Sequence, residues 1–218
     1  MSLEGLFADT NLGAVVFAGD RVVVVDKPTG ISSEDLAASW QRKLVHRIDK
    51  ATSGLVILAD DARTVQRLHR QMQNNGIERT YLLLAHGHVV AQTISSRIGR
   101  DRGDGLRGRV AAEAAGQMAT TMVTPLQNRV IDDVTVTLAT AVLVTGRTHQ
   151  IRIHLAEAGH PLVGEPVYRR DHVARGAAEL PSPRLMLHAW RLRLTHPNTH
   201  ELLALEAPAP ADLRWTLG

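Results

Sequence analysis

Short runs of β-branched and aliphatic residues, each closed by a turn signal, set the rhythm of this chain. Arg21-Val22-Val23-Val24-Val25-Asp26, stopped by Lys27-Pro28-Thr29-Gly30, reads as a buried strand ending in a turn. Leu55-Val56-Ile57-Leu58-Ala59 is a second run and Tyr81-Leu82-Leu83-Leu84-Ala85 a third. Between them Val65, Leu68 and Met72 recur at helical spacing, with Asp60 or Asp61 as N-cap and Asn75-Gly76 as the stop. Strand patterns resume at Ala119–Val123 and Val134–Val144. A helix is predicted over Thr148–Ala158, with Ile151, Leu155 and Ala158 on one face and Gly159 and Pro161 ending it. From Leu185 to Leu194 the pattern alternates, placing Met186, His188, Trp190, Leu192 and Leu194 on one side, with Trp190 read as core. The turn His196-Pro197-Asn198-Thr199 then leads back into Glu201–Leu205. Residues 1–12 carry no pattern and read as a ragged lead-in.

Strands outnumber helices and several neighbours are hairpin-connected. The predicted fold class is α+β, a mixed, mostly antiparallel β-sheet with flanking helices. No internal repeat or interdomain linker interrupts residues 1–218, so a single domain is expected.

Composition narrows the class. Hydrophobic residues make up 44%, enough for a core, while aromatics at 3% leave that core to Val, Leu, Ile and Ala. The absence of cysteine excludes disulfides, thiolate zinc sites and thiol nucleophiles. No apolar stretch has membrane-spanning length and no signal-peptide pattern opens the chain, so a soluble, cytoplasmic protein is expected. The net charge of +3 and pI of about 9.8 point weakly to an anionic partner. Arg97–Arg109 adds to this, with five Arg, four Gly and only Asp101 and Asp104 as acids. It reads as a mobile loop or hairpin tip, suited to phosphate contact or merely solvated.

Two segments stand out for candidate chemistry. In Arg42–Lys50 a single acid, Asp49, lies among Arg42, Lys43, His46, Arg47 and Lys50. Nearby cations favour an ionised carboxylate, which suits a nucleophile or an electrostatic anchor better than a proton donor. The pattern equally describes a surface ion-pair partner. Gly146-Arg147-Thr148-His149-Gln150-Ile151-Arg152-Ile153-His154 brings several donors to the start of a helix, where an anion is favoured. His86 with His88, and His149 with His154, have spacings at which metal ligation is imaginable, but no acidic or His partner completes a ligand set.

His46-Arg47-Ile48-Asp49-Lys50-Ala51-Thr52-Ser53-Gly54-Leu55 closely resembles the active-site motif of RluA-type pseudouridine synthases, which usually reads His-Arg-Leu-Asp followed by Thr-Ser-Gly. Lys27-Pro28-Thr29-Gly30 resembles the family's first motif, and Arg79-Thr80-Tyr81 its basic-x-Tyr. Thr145–His154, continued by Gly159–Tyr168, resembles the long third motif, and Leu187-His188-Ala189 with His196-Pro197 the closing hairpin. The match runs from about residue 20 to 206.

The resemblance implies isomerisation of uridine within RNA, with no metal or cofactor. Asp49 takes the place of the catalytic carboxylate, acting covalently or by abstracting a ribose proton. Tyr81 takes the place of the tyrosine that stacks on the flipped base, and Arg152 that of the arginine pairing with the Asp, with Arg147 its nearby rival. Arg47, His46, Arg147, His149 and Gln150 become candidate substrate-binding residues. The implied partner is an rRNA or tRNA stem-loop, met by a monomer without a membrane. No N-terminal RNA-binding module of the S4 type is expected to fit into residues 1–20, so target choice is expected to fall to the catalytic domain, with the loop at 97–109 a candidate. Ile48 replaces the usual Leu, Glu165 stands where Asp is common, and Ser95-Ser96 where an Ile-Gly-like or Pro-Ile pair is more usual. The interval between Gly30 and His46 is shorter than usual. Two other readings compete: an RNA chaperone that keeps the fold without the chemistry, and a His-metal hydrolase.

Overall fold

A computed structural model describes residues 12–214. The ragged lead-in therefore lies almost wholly outside the described residues. In chain order the elements begin with β1 (Ala14–Gly19), β2 (Val22–Lys27), α1 (Ser33–Ser39), β3 (Lys43–Leu44), β4 (Ser53–Ala59) and α2 (Ala62–Gln73). There follow β5 (Glu78–His86), β6 (Gln92–Gly99), β7 (Gly108–Arg109), β8 (Gln117–Ile131), β9 (Val134–Leu143) and α3 (Gln150–Glu157). The last are α4 (Arg170–Ala174), β10 (Leu187–Thr195), β11 (Leu202–Glu206) and α5 (Ala211–Arg214). The chain gathers into two compact units, residues 12–79 with 188–209, and residues 80–187 with 210–214.

In the first unit β1, β2, β4, β10 and β11 follow one another across a mixed sheet. Every pair is antiparallel except β4 with β10, which run parallel through Ser53–His188 and Gly54–Ala189. That contact explains Gly54. Its φ is +110°, and a Cβ there would collide with the backbone of Ala189. The Val run of β2 is buried from Val22 to Val25, and Val22 and Val24 form a core with Leu55, Ile57, Leu192 and Leu194. Helix α2 closes over this core with Leu68, Val65 and Met72, the predicted stripe. Its N-cap is Asp61, whose carboxylate accepts the Thr64 N–H at 2.8 Å. Trp190 departs from the predicted core stripe. It is only half-buried, with its indole N–H on Glu206 and the Arg191 guanidinium 3.5 Å from its ring centroid. Tilting toward those charged neighbours suits an amphipathic ring better than full burial.

The second unit is an antiparallel sheet in the order β5, β9, β8, β6, β7. Its long β8–β9 hairpin turns at Asp132 and Asp133, both with positive φ. Helix α3 is shorter than predicted and is buried from Gln150 through Leu155, so it is covered beyond the one expected face. Ile153 packs with Ile98, Ala119 and Tyr168. The predicted Gly159 stop holds, with φ +89°. Residues 97–109 resolve into the end of β6, a tip at 100–107 and β7, a hairpin tip held by its own hydrogen bonds.

Candidate active site

In the first unit Asp49 sits in an irregular stretch between β3 and β4, and its neighbours in the fold hold that stretch by the backbone. Ser33, buried at the start of α1, donates its hydroxyl to Ile48 O and accepts Ile48 N–H, both at 3.0 Å. The Lys27-Pro28-Thr29-Gly30 turn grips the chain just beyond the carboxylate. Gly30 N–H reaches Lys50 O at 2.9 Å, and the Thr29 hydroxyl reaches Ala51 O at 3.0 Å. Lys27 is fully buried, and its ammonium donates to the carbonyls of Pro28 and Ile31 at 2.8 Å and of Lys50 at 3.4 Å. Burial pulls its pKa down to about 8, and the negative charges of Asp49 and then Asp26 work against that shift. The ammonium is thus near enough to Asp49 to feel its charge. In the sequence this turn stands out as a motif with no task for Lys27; in the fold its task is to hold the loop.

Asp49 itself is half-buried, and its carbonyl accepts Thr52 N–H at 2.9 Å. Arg47 is exposed and pairs with Glu34 at 3.0 Å, a solvent-screened contact that an anionic ligand could displace at little cost. His46 accepts the Ile57 N–H on Nε2 at 3.2 Å, which ties the loop to β4. Desolvation, followed by the positive charge of Arg79, lowers its pKa to about 3.

In the second unit the site residues form a buried network. Arg152 grips Glu165 through two parallel bonds of 2.7 Å, Nε to Oε2 and Nη2 to Oε1, with both side chains buried. Glu165 also accepts the Val167 N–H at 2.9 Å and the Tyr168 N–H at 3.2 Å. Its pKa is lowered overall: desolvation pushes upward, and the hydrogen bond and charge of Arg152 overcome it. The Arg152 guanidinium lies 5.3 Å from the Tyr168 ring centroid, and the Tyr168 hydroxyl meets His149 Nδ1 at 2.8 Å. His149 holds a left-handed backbone, φ +59°, at the residue before α3. Glu165 and Tyr168 were visible in the sequence as parts of a motif, but nothing in their spacing disclosed the network.

Gln150 is built into the fold at all four of its hydrogen-bonding positions. Its carbonyl accepts the Thr145 hydroxyl and Arg147 N–H, and its amide donates to Thr120 O and the Thr121 hydroxyl. It shapes the turn that carries Arg147. That turn precedes α3, so Arg147 stands ahead of the helix, with Nε on Met118 O at 3.1 Å. Tyr81 is buried on β5, opposite Ala141 of β9. Asp49, Arg47 and His46 thus belong to the first unit, and Tyr81, Arg147, His149, Gln150 and Arg152 to the second.

Two further histidines, His86 and His154, are occupied by the protein. His86 contacts Pro161 O and Leu180 N–H through its two ring nitrogens, and His154 contacts the hydroxyls of Thr121 and Ser96. His88 lies exposed beyond the end of β5. Among the described residues no three His, Cys, Asp or Glu side chains cluster as metal ligands.

The enclosed imidazoles carry a pH signature. Desolvation also lowers His154, to about 4. In the unfolded chain both rings, His46 and His154, titrate near about 6.5, so between that value and the folded pKa the unfolded state binds more protons. Stability therefore falls as pH drops below about 6.5, each ring contributing at most about 1.4 kcal/mol per pH unit. Asp26, raised to about 6 by burial, opposes part of this, because it takes its proton in the folded state first. Urea unfolding between about pH 7 and 4.5 should show the decline, and His154→Gln should flatten it. An identical slope in that variant would remove His154 from the account.

Comparisons with known proteins agree with this fold and its motifs. A family model described as RNA pseudouridylate synthase matches residues 21–157. "Ribosomal large subunit pseudouridine synthase D" of Nitrosomonas europaea is 35% identical over 91% of this chain and 62% of its own length. An uncharacterized RNA pseudouridine synthase of Bacillus subtilis is 34% identical over 92% of this chain and 70% of its own. Thus the chain spans less than two thirds of the first of these relatives. The solved structure of human RNA Pseudouridylate Synthase Domain Containing 1 shares the fold, with a TM-score of 0.75, 24% identity, and coverage of 93% of this chain and 86% of its own. On the extent of the family match and of these identities, the chain belongs to the RNA pseudouridylate synthase family.

Proposed function

We propose that this protein isomerises uridine to pseudouridine within large-subunit ribosomal RNA, with Asp49 as the essential carboxylate. The observation that carries the reading is the way the fold serves the Asp49 loop. Ser33, Thr29 and Gly30 spend hydrogen bonds on residues 48–51, and the buried Lys27 adds a third, longer one to Lys50 O beside those that fold its own turn. A surface ion-pair partner needs no such scaffold; a group that must meet a sugar–base bond in fixed geometry does. The choice of ribosomal RNA is supported by the names of relatives such as those of Nitrosomonas europaea and Pseudomonas aeruginosa.

The reaction breaks the N1–C1′ bond, turns the base and joins C5 to C1′. The proton leaves C5 and N1 ends protonated, so no oxidant or reductant is consumed. Asp49 acts as the ionised carboxylate on the nucleotide. Tyr81 stacks on the extruded base and assists loss of the C5 proton. Arg152, aimed by Glu165, supplies the fixed cation of the site. Arg47 fills the space the base leaves. Extrusion costs a few kcal/mol, roughly, and least where stacking is already lost, so the target is a uridine in a loop or bulge.

The test is to incubate the purified protein with unmodified large-subunit ribosomal RNA made by transcription and map pseudouridine chemically. One or a few discrete sites are expected, absent from RNA of a strain lacking the gene. RNA binding without pseudouridine at any position would replace this reading by that of a silent RNA-binding protein.

A further inference from the structure

A buried chain of polar groups in the second unit has no part in the chemistry above. His154, fully buried on α3, stands between two hydroxyls, with Nδ1 2.9 Å from Thr121 Oγ1 of β8 and Nε2 3.1 Å from Ser96 Oγ of β6. Thr121 Oγ1 in turn accepts one N–H of the Gln150 amide at 2.9 Å, and the amide also donates to Thr120 O at 3.0 Å. The Gln150 carbonyl takes the Thr145 hydroxyl at 2.7 Å and the Arg147 N–H at 3.0 Å, while Thr145 Oγ1 accepts Thr120 N–H at 2.9 Å. The chain thus runs from β6 through α3 and β8 to the turn at 145–149. Turning the Gln150 amide over would set N–H against N–H at Arg147 and oxygen against oxygen at Thr120, so its orientation is fixed. Thr121 is 0% exposed, and its oxygen already accepts from Gln150, so its own proton goes to the ring; Ser96, at 8%, can turn its proton toward solvent. His154 is therefore the Nε2–H tautomer, accepting from Thr121 and donating to Ser96. Desolvation, which lowers its pKa to about 4, keeps it neutral.

Burying so many polar groups is costly unless each is satisfied, and a satisfied network fixes a single arrangement. An apolar filling would hold α3 against the sheet as well. It would not define the turn ahead of the helix, which is exposed at Val144, Gly146 and Thr148 and ends in the left-handed His149. Arg147 belongs to that turn. It is half-buried, and its Nε donates to Met118 O, an anchor that leaves the Nη fork unused. Arg152, by contrast, commits Nε and Nη2 to Glu165. Ser96 also stands where this chain departs from the family's usual Ile-Gly-like or Pro-Ile pair, neither of which offers a hydroxyl to His154. We propose that Ser96, His154 and Thr121 are positioning residues: acting through Gln150, they fix the 145–149 turn and so the place from which Arg147 grips a phosphate of the RNA. The proposal rests on the reading that the substrate is RNA, and it assigns to a buried relay a share of affinity distinct from the chemical step.

The experiment uses the full chain and two readouts: the dissociation constant for unmodified large-subunit ribosomal RNA, and hydrogen exchange of the Arg147 amide followed by NMR. Thr121→Val keeps the shape of the side chain and removes the hydroxyl; Thr121→Ser keeps the hydroxyl and removes a methyl group. Thr121→Val should weaken binding about fivefold and speed exchange at Arg147, because the relay is cut. Thr121→Ser should stay within about twofold of the wild type in both readouts. A packing role predicts the reverse order, since serine leaves a cavity and valine does not. Ser96→Ala, acting from β6, should weaken binding in the same direction. Combined with Arg147→Gln, it should add nothing to the loss of about tenfold expected from Arg147→Gln alone. Additive losses overturn the proposal. So do unchanged binding or an unmoved Arg147 amide in Thr121→Val, and weaker binding by Thr121→Ser than by Thr121→Val. Should Thr121→Val fail to fold, the cycle between Ser96 and Arg147 decides alone. A wild type that binds this RNA but forms no pseudouridine removes the proposed reaction and leaves the positioning role standing, because neither readout depends on turnover. A wild type that does not bind the RNA removes both.

Discussion

Asp49→Asn should lose pseudouridine formation by roughly 10³-fold or more, while the folded protein and its affinity for RNA persist. Asparagine keeps the shape of the side chain, and the loop is held through the backbone atoms of Ile48, Asp49, Lys50 and Ala51, which the exchange leaves in place. Only the charge goes. Unfolding free energy should therefore change by no more than about 1 kcal/mol, and RNA binding, relieved of one anion, should hold or tighten slightly. A second readout is independent of turnover. The Asp49 charge supports the protonated form of Lys27, whose pKa stands at about 8. Its removal must lower that pKa further, which NMR titration of the lysine side chain will show. Activity within tenfold of the wild type would overturn the assignment of the carboxylate, and an unmoved Lys27 would overturn the electrostatic link.

Arg152→Met should cost about 3–5 kcal/mol of stability, because it strips the cation from a buried Glu165 that would keep only two backbone N–H groups. Adding Glu165→Gln removes the stranded charge while leaving a carbonyl oxygen for those amides. The double variant should therefore recover most of the loss in denaturant unfolding. Pseudouridine formation should not return with it, since the cation of the site is still missing. Stability and chemistry are separated in this way. Recovered activity in the double variant would reduce Arg152 to a structural role, and a single-variant cost under about 1 kcal/mol would contradict the buried pair.

Much of the fold was legible because its signals are local. The Val run of β2, the Leu-rich β5 and the stripe of α2 carry their period in consecutive residues, and Asp61 and Gly159 carry their caps. The elements that went unseen have weak local signals. Strand β1 is only partly buried and exists through pairing with β2; β6 mixes Ser, Thr and Arg; α1 and α4 are too short for a period to register. Trp190 looked like core from alternation alone, and Gln150 looked like a substrate ligand from its place in a motif. Both depended on neighbours distant in sequence: Glu206 for the first, and Thr120 and Thr121 for the second.

Asp49, the carboxylate to which the sequence pointed, lies in a loop whose backbone is held by the strand-and-turn frame on either side of it. By itself the sequence determined the fold class, the family motifs and the residue types available for chemistry, because these depend on periodicity and on which side chains are present. Tertiary structure decided which of those side chains are spent on the protein itself. It committed Gln150 and His46 to shaping loops, bound Arg152 to Glu165, buried Lys27 under the Asp49 loop, and used Asp101 and Asp104 to fold a hairpin whose Arg100 and Arg107 stay outside any ion pair among the described residues. The physical reason is that a hydrogen bond or ion pair is set by distances between residues far apart in the chain, and no local pattern encodes those distances.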